Sequence, residues 1–318
     1  METICRPLNE ELTILVCSCD GYADLWEPFF KLLQRYWGSE PMPRILLNTE
    51  SKSFAYGDLP IQCLQLYAPG EAVDYGKRML AHLARIETPY TLLMLDDFFL
   101  RRPVDMDRMK QIVAAMKAHL EIAAVYFDKS RYAEPEDGLI PGFARIAKYA
   151  MFKLNMQAAV WRTDKLKSYW QEGDDPWKWE VFVTYTAFDT EDVFYSIDEW
   201  EHAPIYYGYR PEGMGVFRGK WVIEDVAPLF EANNIKVDYQ LRGIYSRDTA
   251  KSTFENVPQA MAFMLRRTKF RYFVGFSVFN VYKRLCQKLN RTPRYGNHID
   301  YLYAKEQKQA RAKGMGRE

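Results

Sequence analysis

The stretch Pro89-Tyr90-Thr91-Leu92-Leu93-Met94-Leu95-Asp96-Asp97-Phe98-Phe99-Leu100 decides the fold of this chain. Leu92 to Leu95 form an apolar run that reads as a buried parallel strand, and two carboxylates sit where the strand leaves the sheet. Open α/β sheets hold their ligands at that edge. Adjacent carboxylates repel each other, so positive charge is expected nearby, and a divalent cation carried by a phosphorylated substrate is the usual supplier. A helix cap or a plain loop acid would use the same letters.

Working outward, Thr13-Ile14-Leu15-Val16-Cys17 reads as a first buried strand. After Tyr22, helical spacing aligns Leu25, Trp26, Phe29, Phe30 and Leu33. Short strands are expected at Arg44–Leu47 and Ile61–Leu64, separated by a turn-rich stretch from Asn48 to Pro60. Asp74 can cap a helix whose apolar stripe is Met79, Leu80, Leu83 and Ile86. Asp105 can open another that carries Met109, Ile112, Val113, Met116 and Leu120 on one side and leads to the strand Ile122–Phe127. Strands alternating with helices predict an α/β fold, a Rossmann-like, mostly parallel sheet covered on both faces. Asp128 to Lys148 reads as a polar flap, Met151 to Trp161 as a strand, Thr163 to Trp170 as a helix, and Gly173-Asp174-Asp175-Pro176 as a turn before Trp177-Lys178-Trp179-Glu180.

With 318 residues, 48% hydrophobic and 15% aromatic, the chain can bury a large core. No stretch reaches the roughly 18–20 consecutive apolar residues of a membrane span. Met1-Glu2-Thr3-Ile4-Cys5-Arg6 lacks the basic and apolar regions of a signal peptide, so a cytoplasmic location is expected. The cysteines, Cys5, Cys17, Cys19, Cys63 and Cys286, are scattered. Cys17 and Cys19 share a strand face, which admits a strained disulfide or half a metal site, but buried thiols are the simpler reading. His82, His119, His202 and His298 form no zinc or triad spacing and read as structural.

The net charge of +1 hides a division: residues 259–318 carry fourteen Lys/Arg against three Asp/Glu, leaving 29 basic and 39 acidic residues before them. A domain of residues 1–258 is therefore expected, followed by a basic, aromatic-rich, mainly helical extension, 259–318. In the latter, Phe270 to Tyr282 between Arg266-Arg267-Thr268-Lys269 and Lys283-Arg284 resembles an interfacial helix, so residues 259–290 are expected to meet an anionic membrane surface. A helix docked on the body by its aromatic side is the alternative. No nucleic-acid motif accompanies the charge, and no nucleic-acid partner is expected.

The order of these parts resembles the GT-A glycosyltransferases: a first strand ending near Cys17-Ser18-Cys19-Asp20, a strand ending in Asp96-Asp97, then a strand, helix and turn delivering Glu180. Gln157-Ala158-Ala159-Val160-Trp161 through Trp177-Lys178-Trp179-Glu180 also resembles a pattern, Q-x-x-x-W then W-x-x-E, of bacterial capsule and surface-polysaccharide transferases. The resemblance covers roughly residues 12–245. It implies a sugar moved from a nucleotide-sugar donor to a glycan or lipid-linked acceptor, and the basic extension adds the expectation of a place peripheral on the inner membrane. It assigns Asp96 to the ribose or sugar of the donor and Asp97 to a Mn²⁺ or Mg²⁺ ion. A strict D-x-D would end at residue 98, which is Phe98, so Lys77, Arg78 or Arg218-Gly219-Lys220 could neutralise the diphosphate instead.

Glu180 is the candidate general base of an inverting transfer, in an aromatic setting that Trp177 and Trp179 could supply. An ordinary acid at a helix start is the alternative. Glu191-Asp192 is a second acidic pair, and Asp192 is the runner-up base. Cys17, Ser18, Asp20 and Tyr22 after the first strand, with Asn48 and Glu50 after the second, sit where this fold holds base and ribose, although turn chemistry would use them too. Gln157 could bond sugar hydroxyls. Two competing readings are a nucleotidyltransferase, whose Gly-rich phosphate loop is missing after the first strand, and a non-catalytic scaffold with the same sheet.

Overall fold

The computed structural model describes residues 6–68, 71–135, 137–208, 215–246 and 257–314. The first five residues, Cys5 among them, and the end of the basic extension at Arg317 and Glu318 lie outside the described residues. The strands are β1 (Leu12–Cys17), β2 (Ile45–Asn48), β3 (Ile61–Leu64), β4 (Tyr90–Leu95), β5 (Ile122–Lys129), β6 (Phe143–Arg145), β7 (Ala159–Arg162), β8 (Val193–Ile197), β9 (Val216–Phe217) and β10 (Lys220–Trp221). The helices are α1 (Leu8–Glu11), α2 (Trp26–Trp37), α3 (Tyr75–Leu83), α4 (Met106–Ala118), α5 (Thr163–Tyr169), α6 (Pro176–Val181), α7 (Ile223–Ala232), α8 (Val257–Arg267), α9 (Phe270–Lys288) and α10 (His298–Gly314).

Eight strands form one sheet in the order β3-β2-β1-β4-β7-β5-β8-β6. Parallel pairing runs from β3 through β2 and β1 to β4, and again between β5 and β8. The strand β7 lies antiparallel between β4 and β5, and β6 is antiparallel to β8. Six strands therefore point one way, and their C-terminal ends share one edge. In β1 every residue is buried, with Leu12, Ile14 and Val16 in one core layer and Leu15 and Cys17 in the other. The first layer packs against α2, α4 and α7, and the second against α3, α5, α6 and the C-terminal helices. This is the mostly parallel, doubly covered α/β sheet that the sequence predicts.

Local signals work as expected at three helix starts. Asp74, Asp105 and Asp175 each accept a hydrogen bond from a first-turn N–H, those of Lys77, Arg108 and Lys178. Other expectations fail. Residues 151–158 are not strand, and only Ala159–Arg162 pairs. The stretch expected to be a flap contributes β6 and buries Ile140, Phe143 and Ile146, so most of its apolar content is core. Leu120, placed by periodicity on the inner side of α4, falls past the helix end and is exposed.

The basic extension docks as helices. Phe263, Met264, Tyr272 and Ile299 join the second core layer. Arg267, itself buried, makes a two-pronged ion pair with buried Asp174 at 2.8 and 2.9 Å. Tyr132 donates to Asp300 at 2.5 Å, and Lys269, Arg271 and Tyr272 converge on Asp189.

Candidate active site

The register Cys17↔Leu95 brings the ends of β1 and β4 level, so Ser18 meets Asp96. The Ser18 hydroxyl donates to Asp96 Oδ2 and accepts from the Trp26 indole at 2.7 Å. Asp96 is buried, and burial first, then the charge of Asp97, pushes its pKa well above the carboxylate range. Asp97 is half-buried; burial raises its pKa to about 6, against the pull of the Val216 and Gly215 N–H groups. The Val216 N–H reaches its Oδ2 at 3.4 Å. Gly215 has to be glycine, because a Cβ there would lie 2.3 Å from the Phe99 ring.

Positive charge does stand beside this pair, on a residue that motif reading missed. Arg242 lies 4.2 Å over the Tyr22 ring and forms a two-pronged pair with Asp24, and its charge lowers the pKa of both Asp96 and Asp97. No spacing rule links it to Asp96; only the fold does. The β9–β10 hairpin, whose turn is Arg218-Gly219, starts at Val216, the residue whose N–H reaches Asp97, and the Arg218 guanidinium lies 5.5 Å from the Phe217 ring centre. Phe98, at the place of a second D-x-D carboxylate, is buried and stacks on Tyr207 at 4.4 Å.

Tyr207 continues the site toward β7. Its hydroxyl donates to Gln157 Oε1 at 3.1 Å and accepts the Ala158 N–H at 3.3 Å. One residue earlier, the Met156 N–H donates to Glu180 Oε1 at 2.7 Å. Glu180 is half-buried, and its pKa is raised to about 7 by burial first and then by the charge of Asp128, with the Met156 bond opposing. Asp128, near the end of β5, is also raised to about 7 by burial. It closes an apolar strand as Asp96 does, a signal that was available in the sequence. A cavity of about 460 Å³ opens here, lined by Tyr126, Asp128, Phe152, Asn155 and Ser196 among others. Of the two tryptophans expected to give Glu180 an aromatic setting, Trp177 is exposed, and Trp179 is buried and stacks on Trp170 at 4.6 Å.

The remaining candidates fall elsewhere or do other work. Asp192 lies at the opposite edge, just before β8, tied to Lys165 at 2.7 Å and Tyr169 at 2.6 Å beside a second cavity of about 460 Å³. Having these partners there, it is not brought to the acidic pair. Asp20 clasps the turn after β2, accepting from the N–H groups of Glu50, Ser51 and Lys52 and from the Ser51 hydroxyl. Burial pushes its pKa up, but these bonds, Ser51's first, win and hold it at about 2. Arg78 is paired with Glu50, and Lys77 is exposed with its ammonium 5.9 Å from the Tyr67 ring centre. Cys17 is a core thiol pushed up to about 12 by burial, and Cys19 and Cys63 are free. Asn48 is buried at the end of β2, its Oδ1 without a hydrogen-bond partner among the described residues.

No known protein family and no curated protein matches the chain. Solved structures similar to it include S. aureus TarS, 11% identical with a TM-score of 0.43, where the alignment covers 82% of this chain and 50% of that one. The chain thus spans half the length of that structure. The mannosyltransferase PcManGT from Pyrobaculum calidifontis, solved with GDP-Man and Mn²⁺, is 12% identical with a TM-score of 0.40, covering 87% of this chain and 80% of its own. A cytidylyltransferase from Leptospira borgpetersenii is 12% identical with a TM-score of 0.38, covering 74% and 97%. At these identities the likeness says nothing about chemistry.

Proposed function

We propose that this chain is a glycosyltransferase that moves a sugar from a nucleotide-sugar donor to a surface-glycan or lipid-linked acceptor with inversion. One observation carries the reading. The acidic pair Asp96-Asp97 and the carboxyl of Glu180 occupy the same edge of the sheet, joined through Phe98, Tyr207, Gln157 and Met156. In this reading the donor diphosphate lies by Asp97, Arg242 and the β9–β10 turn, and Gln157 faces the sugar. Glu180 takes the proton of the acceptor hydroxyl as its oxygen bonds the anomeric carbon, and the nucleoside diphosphate leaves with the electron pair of the old bond. The cytoplasm, at the inner membrane, is where such donors and lipid-linked acceptors meet.

Among the described residues no three His, Cys, Asp or Glu side chains converge as a metal site. Two adjacent carboxylates suit Mn²⁺ or Mg²⁺ only together with diphosphate oxygens, and Asp97, the more exposed of the pair, is the residue to hold the ion. When bound, it would offset the charge of the leaving diphosphate.

A panel of UDP-, GDP- and dTDP-sugars, scored for nucleoside diphosphate release with and without Mn²⁺, tests the reading. Release from one donor, lost in Asp97→Asn, supports it. Pyrophosphate release from a nucleoside triphosphate and a sugar phosphate would replace it with nucleotidyl transfer, and neither binding nor turnover of any donor would leave a scaffold.

A further inference from the structure

Helix α9 has two unlike faces. On the inner one, Tyr272 and Phe279 are buried, and Phe276 meets Phe182 at 5.8 Å. On the outer one, Phe270, Val274, Val278, Val281, Leu285 and Leu289 are between 40% and 68% exposed. Steps of three and four residues wind these six into a single stripe along the helix. The docked arrangement of the extension therefore leaves an apolar face, rather than removing it.

The charge around that face is one-sided. From Gln259 to Asn297 the sequence holds nine Lys/Arg and no Asp or Glu. Arg267, Lys269 and Arg271 are spent on body carboxylates. Arg284, Lys288, Arg291 and Arg294 are exposed and have no ion-pair partner among the described residues. A second copy of the chain would bring the same unbalanced cations to the interface and repel the first. Nucleic acid would satisfy the cations but leave the aliphatic stripe in water. We infer that the outer face of α9 docks on an anionic phospholipid surface, with its stripe at the headgroup boundary and the four cations facing lipid phosphates. This stands apart from sugar transfer, and its test reads lipid binding alone.

The full chain is sedimented with vesicles of equal parts phosphatidylglycerol and phosphatidylcholine, and with phosphatidylcholine alone. The expected result is binding to the anionic vesicles at low salt and release as the screening length falls from about 30 Å at 0.01 M to about 10 Å at 0.1 M. Val278→Asp with Leu285→Asp, and separately Arg284→Glu with Lys288→Glu, should each lower the vesicle-bound fraction at least tenfold while leaving the melting temperature unchanged. The inference is overturned by equal binding of the variants, by no binding of the parent, by a fall in melting temperature in the stripe variant, or by a dimer that Leu285→Asp dissociates.

Discussion

A carboxylate that deprotonates a sugar hydroxyl near neutral pH needs a raised pKa, and at Glu180 burial, with the charge of Asp128 behind it, raises the pKa to about 7. The rate should therefore rise with pH through a limb near 7. Asp128→Asn removes a negative neighbour and should move that limb to lower pH, as a pH profile of kcat/KM would show; an unmoved limb would separate the two groups. Stability responds with the opposite sign. Both folded-state values lie above the unfolded ones, so between about pH 4 and 7 the native state holds more protons and loses stability as pH rises. Glu180→Gln, which keeps the acceptor for the Met156 N–H, should flatten that decline and stabilise the protein at pH 8 by on the order of 1 kcal/mol after allowance for its partial exposure. Melting temperatures across that range check it. The positions of Asp96 and Asp97 were legible because they follow directly on the end of β4, and that of Glu180 because the Asp175 cap and Pro176 mark the start of the short helix that carries it. Arg242 was not, because its partnership with Asp96 depends on how a distant loop crosses the edge.

Elements here are placed by a few close approaches. A Cβ on Gly76 would come 2.0 Å from the Gln171 carbonyl, where the first turn of α3 meets the turn before α6, and the Gly76 N–H bonds Asp174 there at 2.9 Å. Gly76→Ala should cost about 1–3 kcal/mol by overpacking, and an unchanged melting temperature would contradict that contact. Trp177→Ala should change neither stability nor rate, since that ring is exposed. The capped helices and the buried strands could be read because period and cap agree at each. The reversal of β7 could not: Ala158 to Trp161 is as apolar as a parallel strand, and direction is set by pairing with β4 and β5, not by pattern. The same blindness ran residues 151–158 into that strand, although they join no ladder and only Ala159–Arg162 pairs.

At the scale of the molecule, the charge division was plain in the sequence, but its use was not, since a basic segment can dock through its few buried groups. Arg267→Met should destabilise the protein by about 3–5 kcal/mol, because it leaves Asp174 buried and unpaired. A chain ending at Pro258 should melt lower still, having uncovered the layer that Phe263, Met264 and Tyr272 complete; a truncated chain as stable as the parent would show the helices to be independent. No helix among the described residues is long and apolar enough to cross a membrane. The edge that joins Asp97 to Glu180 is what the functional account depends on. Its most direct test is donor binding and turnover measured side by side in Glu180→Gln and Asp192→Asn. Glu180→Gln should bind donor as the parent does and lose roughly 10²–10⁴-fold in kcat, with Asp192→Asn near the parent rate; full turnover in Glu180→Gln with loss in Asp192→Asn would put the chemistry at the other edge of the sheet.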